Sequence, residues 1–390
     1  MLFFDFGVTM AGGLNGVGLR AWEVAAALAE HEDVTILTPD TPHAEVLQAW
    51  PHISWRCLDR GDVPITQGRD VVVYGFATDP TSVAHYKEAG ATCVFDAIVW
   101  PQEYLTYEWI RNAPDSTLAY GSLLGDYLQR VRLADGYFVG RDVEKQALVS
   151  VLTVCDFERL LAPDVDPSFD DRICILPVGF SAWNERRRLA PKPSTRELER
   201  PTFVWNGGLW NHYHPAAAAR GLTALLSAGS DAQLWFLYPQ RGTPTSAYTA
   251  VRDVVEADRR LGDRVKFCQG GLSLAERISI LDSACASLCL YEPRALWDLA
   301  PPTRIRDVFV YGLPVVAPRR GALGDLIIRE GFGITVDTLE PDAVAAAMQS
   351  CLDHDQAAAM RTAATQAAAE HQYEHVAPTV HTWLERIRNP

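Results

Sequence analysis

Two stretches of this 390-residue chain combine residue types and spacings that can do chemistry. The first, FVWNGGLWNHYHP at 203–215, is an apolar run that stops at Asn206, passes through Gly207-Gly208 and a polar-aromatic turn, and enters an alanine-rich stretch. A buried strand, a glycine turn and a helix N-terminus together suit a phosphate. Glycine admits close backbone approach, and the unpaired N–H groups of a first helical turn favour an anion. The second, TRIRDVFVYGLPVVAP at 303–318, puts Arg304, Arg306 and Asp307 on a predicted helix that ends at a glycine before a buried strand. Residues three apart share a helical face, which pairs Arg304 with Asp307. An arginine can neutralise a departing diphosphate, and a carboxylate can accept both hydroxyls of a ribose.

A glycine-rich run, Gly12-Gly13-Leu-Asn-Gly16-Val-Gly18-Leu-Arg20, follows the first predicted strand and opens a helix. Its spacing is not that of a dinucleotide fingerprint, but its context is that of a loop facing a donor diphosphate or an acceptor. Asp96 ends an apolar strand and is expected at a ligand-binding sheet edge. Asp164-Val-Asp166 is an Asp-x-Asp triplet that sits among prolines, away from any glycine loop. It reads as a solvated loop, so no metal site is expected. His212 and His214 flank Tyr213 and read as hydrogen-bonding groups, because a third metal ligand is missing.

The elements that must position these residues alternate strand and helix along the whole chain. In the first half, strands at 2–6, 33–38, 70–74, 92–95, 136–139 and 173–176 are separated by helical patterns at 20–30 and 143–152. A polar stretch rich in arginine and proline, 185–201, reads as the linker. The second half repeats the alternation, with strands at 202–205, 233–237, 265–267, 286–290 and 314–317. Helices are predicted at 215–227, 246–261, 274–284, 303–311, 322–330, 342–353, 356–370 and 376–387. This is the pattern of parallel sheets covered by helices. It predicts an α/β chain of two Rossmann-like doubly wound domains facing across a cleft.

Composition narrows the class further. No apolar run approaches the roughly 20 residues that span a bilayer. The opening residues carry no basic region and read as a first strand, not a signal peptide. The 8 cysteines lack C-x-x-C pairs and suit buried thiols in a reducing cytoplasm. The net charge is −14, and the excess lies wholly in 1–178, with 12 Lys and Arg against 26 Asp and Glu. An acidic first half argues against nucleic acid or an anionic membrane as partner.

With these motifs in place, the chain resembles the retaining, family-4 type of GT-B glycosyltransferase, in particular a bacterial subgroup of polysaccharide and secondary-metabolite pathways. The likeness rests on GGLNGVGLRAWEVAAALAEHEDVTILTP, ADGYFVGRDVEKQAL, ILPVGF, WNGGLWNHYHP, VKFCQGGLS and TRIRDVFVYGLPVVAPRRGALGDLI. It implies an N-terminal domain, 1–178, on the acceptor side. A nucleotide-sugar domain follows at 179–372, and a helix at 373–390 returns to the first domain. It implies Asp307 on the ribose, Gly207 and Gly208 on the diphosphate, and Arg304 as the matching motif cation. Gly271 and Leu272 would meet the base, and Asp96 the donor sugar or acceptor. Asn206, Asn211, Gly12, Gly13, Gly16 and Arg20 complete the expected donor-binding set.

The family's first motif glutamate falls on Leu299, with Asp298 adjacent. The usual Arg and Lys of the cradle are replaced by Leu209 and Asn211. The diphosphate charge then falls to Arg304, helped by Arg20, Arg319 or Arg320. The implied reaction is a metal-independent, front-side transfer from a nucleotide-diphosphate sugar, UDP being favoured, to a small neutral or amine-bearing acceptor. It needs no permanently bound cofactor. Other nucleotide-sugar chemistry, such as epimerisation or a pseudoglycosyl transfer, polysaccharide assembly, or an inactive binding subunit are the alternatives.

Overall fold

The computed structural model describes residues 1–8, 16–58, 69–156, 169–188, 200–238, 244–269 and 272–389. The chain divides into two units. The N-terminal unit comprises Met1–Leu105, Ala113–Trp183 and Gln372–Pro390, and the C-terminal unit comprises Thr106–Asn112 and Asn184–His371. The C-terminal helix Tyr373–Arg388 thus belongs with the N-terminal sheet, while the short segment Thr106–Asn112 belongs with the second unit.

The N-terminal unit is built on seven parallel strands: β1 (Leu2–Asp5), β2 (Val34–Thr38), β3 (Ser54–Cys57), β4 (Val71–Tyr74), β5 (Thr92–Asp96), β6 (Gly136–Val139) and β7 (Ile173–Ile175). Their order is β3-β2-β1-β4-β5-β6-β7, which turns back on itself between β1 and β4. The central strands LFFD and VVVY are buried throughout, as expected where helices cover both faces of a parallel sheet. Edge strand β3, SWRC, is largely exposed. It is absent from the sequence-based assignment because it carries no apolar run. Helix Gly16–Leu28 starts four residues earlier than its pattern predicts, inside the glycine run.

The C-terminal unit repeats the plan with six strands: β8 (Thr202–Trp205), β9 (Gln233–Phe236), β10 (Val265–Phe267), β11 (Ala286–Leu288), β12 (Val315–Pro318) and β13 (Gly333–Val336). The order β10-β9-β8-β11-β12-β13 reverses between β8 and β11. Ligands of doubly wound sheets bind at such a reversal, outside the carboxyl ends of the strands. Helix Pro215–Ser227 packs Ala216–Ala219 and Leu222 into the core below this edge. A side chain at its Gly221 would meet Val344 Cγ1 at 2.4 Å, so glycine there lets helix Pro341–Leu352 lie close. The predicted helix 303–311 is instead a 3₁₀ turn, Thr303–Ile305, followed by helix Arg306–Tyr311, which ends at left-handed Gly312. Among the described residues, no helix is long and apolar enough to cross a membrane.

Candidate functional site

The carboxyl edge at the β8/β11 reversal is organised by Asn206. Its Oδ1 accepts from Ser287 Oγ of β11 at 2.7 Å. Its Nδ2 donates to Asp307 Oδ2 at 2.8 Å and to the Arg304 carbonyl at 3.3 Å. One side chain therefore ties the end of β8 to the neighbouring strand and to the Arg304–Asp307 segment. Because these bonds occupy both ends of the amide, Asn206 holds the turn in shape and is not the donor-binding group expected.

Arg304 lies directly over that turn. Its guanidinium carbon is 3.9 Å from the Tyr213 ring centroid and 5.1 Å from that of Trp205, a cation–π position. A Cβ on Gly207 would sit 2.4 Å from Arg304 Cζ, so glycine is what lets the cation settle on the backbone. Nη2 donates a long 3.5 Å bond to the Gly208 carbonyl. Nη1 is buried and, among the described residues, has no hydrogen-bond partner. The indole of Trp210, itself 54% exposed, covers Gly208 in the same manner, its Nε1 2.4 Å from a Cβ placed there.

Other polar atoms of the same unit are orphaned as well. Tyr291 OH, Trp297 Nε1 and His214 Nδ1 are also buried without a partner among the described residues. The Trp297 ring packs among aromatic neighbours, its centroid 4.4 Å from Tyr291, 5.0 Å from Tyr213 and 5.6 Å from His212. Helix Pro215–Ser227 begins beside them with no side-chain cap. Indole N–H, guanidinium N–H and helix amides are donors, and the Tyr291 hydroxyl can donate as well. Buried polar groups are nearly always paired, and an oxygen-rich anion is what would pair these. Sequence reasoning missed Tyr291 and Trp297, which carry no motif and read only as aromatic residues.

The two histidines of the turn behave differently. His212 is buried, its Nδ1 3.1 Å from Thr106 Oγ1. Burial, with the like charges of Arg304 and Arg294 added, pushes its pKa down to about 3. A neutral imidazole at ordinary pH adds no charge to the site. Asn211 faces away from the cradle. Its Oδ1 accepts from Ser246 Oγ and the Ala247 amide, both at 3.0 Å, at the start of helix Ser246–Ala257. That capping bond replaces the donor-binding role expected of it.

Asp307 is corrected in the same way. Oδ2 accepts from Asn206 and, at 2.5 Å, from Arg277 Nη2, while Oδ1 accepts from Arg306 Nη1 at 2.8 Å. With 2% of its surface exposed, it has no face for ribose hydroxyls. Arg277 and Arg306 also bind Glu185, Nη1 of each reaching Oε1 at 2.8 and 2.7 Å, and Tyr311 OH donates to the same oxygen at 2.7 Å. The two arginines and the tyrosine hold the Glu185 carboxyl far below the usual carboxylate range, against the opposing effect of burial. Glu185, predicted to open the polar linker, is therefore part of a buried two-acid, two-arginine lattice under the site.

In the N-terminal unit, Arg20 and Asp96 satisfy one another. Arg20 Nε meets Asp96 Oδ2 at 2.8 Å and Nη2 meets Oδ1 at 3.2 Å. The remaining N–H groups reach the Leu176 and Pro177 carbonyls, both at 2.8 Å, and Tyr373 OH at 3.1 Å. All five guanidinium donors are thus used, and both residues are at most 3% exposed. Neither the phosphate role expected of Arg20 nor the catalytic role expected of Asp96 fits a closed, saturated pair. Nearby Glu144 accepts from the Gly140 amide through Oε2, but its Oε1 is buried without a partner among the described residues. Burial pushes its pKa up to about 7.

Gly16 opens helix Gly16–Leu28, and Leu272 is half-buried just before helix Leu274–Ser283. Gly12, Gly13, Gly271 and the Asp164–Asp166 triplet lie outside the described residues. Arg319 and Arg320 are 63% and 72% exposed and face Asp337 and Asp298 at 3.8 Å. Leu299 ends the short helix Ala295–Leu299.

No protein-family model matches this sequence, and no curated protein matches it. Solved structures do resemble it along its whole length. Sucrose-phosphate synthase from Thermosynechococcus elongatus matches with a TM-score of 0.62 at 14% identity, over 99% of this chain and 98% of that one. The trehalose-6-phosphate protein of E. coli bound with UDP-2-fluoro glucose matches with 0.65 at 10% identity, over 100% and 99%. Anabaena HepE in complex with UDP and glucose matches with 0.62 at 13% identity, over 98% of each chain. At these identities the likeness is one of fold, and the fold is that of the GT-B glycosyltransferases.

Proposed function

We propose that this chain is a glycosyltransferase that takes a nucleotide-diphosphate sugar at the β8/β11 edge of its C-terminal unit. The observation that carries the reading is Arg304, held by Tyr213 and Gly207 with Nη1 unpaired among the described residues, while Tyr213 packs against Trp297, whose Nε1 is orphaned like Tyr291 OH. In this reading the Gly207–Gly208 backbone and Arg304 take the diphosphate, and Leu272 and Gly271 meet the base. UDP or a UDP-sugar is bound in two of the similar structures, which favours UDP. Asp307 acts as a positioning residue, because it anchors Asn206 and the Arg304 backbone.

The chemistry is transfer with retention, without a metal. Arg304 stabilises the departing diphosphate, and the phosphate accepts the acceptor's proton. Preorganised charge of this kind is commonly the largest catalytic term. The acidic N-terminal unit favours a small neutral or amine-bearing acceptor in the cytoplasm, in a secondary-metabolite pathway. The test is product analysis with a panel of nucleotide sugars and soluble amines and alcohols, with excess chelator present. The reading expects a glycosylated acceptor of unchanged anomeric configuration. Epimerised donor, or hydrolysis and transfer absent with every donor, would overturn it.

A further inference from the structure

Within the N-terminal unit, a second cluster of chemistry-bearing side chains has no part in the reaction above. His381 and Glu385 lie one turn apart on helix Tyr373–Arg388 and so share a face. Glu32, from the turn after helix Gly16–Leu28, meets them there. One ligand atom from each of the three lies within 4.8 Å of the others. His381 Nδ1 and Glu32 Oε1 are 3.5 Å apart, and both are buried with no hydrogen-bond partner among the described residues.

We propose that Glu32, His381 and Glu385 bind a divalent transition-metal ion, zinc by their donor chemistry, which clasps the C-terminal helix to this turn. A separation of 3.5 Å is long for a strong hydrogen bond. It is close to the roughly 3.4 Å that separates two ligands on one tetrahedral zinc with bonds near 2.05 Å. The two carboxylates are already bridged by one guanidinium. Arg388 donates through Nη2 to Glu32 Oε2 at 2.8 Å and through Nη1 to Glu385 Oε1 at 2.5 Å. Hydrogen bonds of this outer kind fix ligating carboxylates.

The His31 ring stacks on His381 at 5.5 Å, and an open depression of about 610 Å³ lined by Met1, Glu30, His31 and Glu32 borders the Glu32 end of the cluster. One imidazole with two carboxylates suits zinc, whereas magnesium takes oxygen ligands only. The helix is held at its start by Tyr373, at its middle by Trp383, whose Nε1 donates to the Asp171 carbonyl at 3.0 Å, and in its last turn by the Arg388–Glu32 pair, which the ion would reinforce.

The test titrates the chelator-stripped full chain with Zn²⁺ alone by calorimetry and follows the thermal midpoint. Co²⁺ substitution serves as a spectroscopic probe. The proposal expects one ion per chain, a raised midpoint, a tetrahedral Co²⁺ spectrum, and no effect of Mg²⁺. His381→Ala and, separately, Glu385→Gln should each weaken Zn²⁺ at least tenfold and abolish the Co²⁺ band, with nucleotide diphosphate binding unchanged. Glu385→Gln keeps the side chain's shape and stands in if His381→Ala fails to fold. Absence of stoichiometric Zn²⁺ uptake, or uptake equal in the wild type and both variants, would overturn it and leave the cluster an ion pair.

Discussion

The Arg304 guanidinium lies 3.9 Å from the Tyr213 ring centroid, on the backbone of the turn that joins β8 to the helix Tyr213 precedes. The cradle has no cation of its own sequence, and this arginine, from a segment about a hundred residues later, supplies one. It is pinned by an aromatic face and a glycine while Nη1 has no partner among the described residues.

Removing that cation tests its role in turnover. Loss of one preorganised donor typically costs roughly 10²–10³ in rate, so Arg304→Ala should lose that much kcat in a steady-state assay while remaining folded. Arg304→Lys keeps the charge but not the planar fork, and should fall between the two. An alanine variant with more than about a third of wild-type turnover, a loss under about 1 kcal/mol, would move the phosphate role elsewhere.

Gly207→Ala tests the geometry without removing a charge. The new methyl would lie 2.4 Å from Arg304 Cζ and Nη2, and the far end of a flexible side chain can swing away. The thermal midpoint should therefore change little while donor KM rises at least tenfold. A large loss of stability with unchanged KM would show that the glycine serves packing alone.

Asp307→Ala separates a positioning role from ribose contact. It strips a carboxylate from two buried arginines, and breaking a buried ion pair costs roughly 3–5 kcal/mol. Chemical denaturation should show a loss of that size, similar to that of Glu185→Ala. Nucleotide affinity that falls while stability stays within about 0.5 kcal/mol of wild type would restore the ribose assignment.

Glu144 should make stability depend on pH. Its folded pKa is raised from 4.5 to about 7. Its contribution is therefore fully present below pH 4.5 and lost as pH rises through 7. Glu144→Gln removes this titration, so the variant should gain on the wild type between pH 5 and 8, by on the order of 2–3 kcal/mol. Parallel stability–pH curves for the two proteins would contradict the buried-acid assignment.

The alternation of strands and helices was legible because parallel strands buried on both faces, such as VVVY in β4, are short apolar runs between turn signals. Strand β3 was not, since an edge strand with three exposed residues of four has no such run. The glycine turn after β8 was visible for a local reason, strand and helix being adjacent in sequence. The pairs Arg20–Asp96 and Arg277–Glu185 were invisible for the opposite reason. Their partners are 76 and 92 residues apart, and a buried ion pair leaves no periodic trace. The same non-locality explains why Asp307 and Asn206, conspicuous at their motif positions, turn out to face each other and not open solvent.

The most direct measurement is a calorimetric titration of the full chain with UDP, run beside Arg304→Ala. The account predicts one UDP per chain, weaker binding at higher salt, and an affinity at least tenfold lower in the variant. UMP, which lacks the second phosphate, should bind more weakly than UDP to the wild type and about equally to both proteins. No binding of UDP or of any other nucleoside diphosphate, or equal UDP affinity in the two proteins, would contradict it.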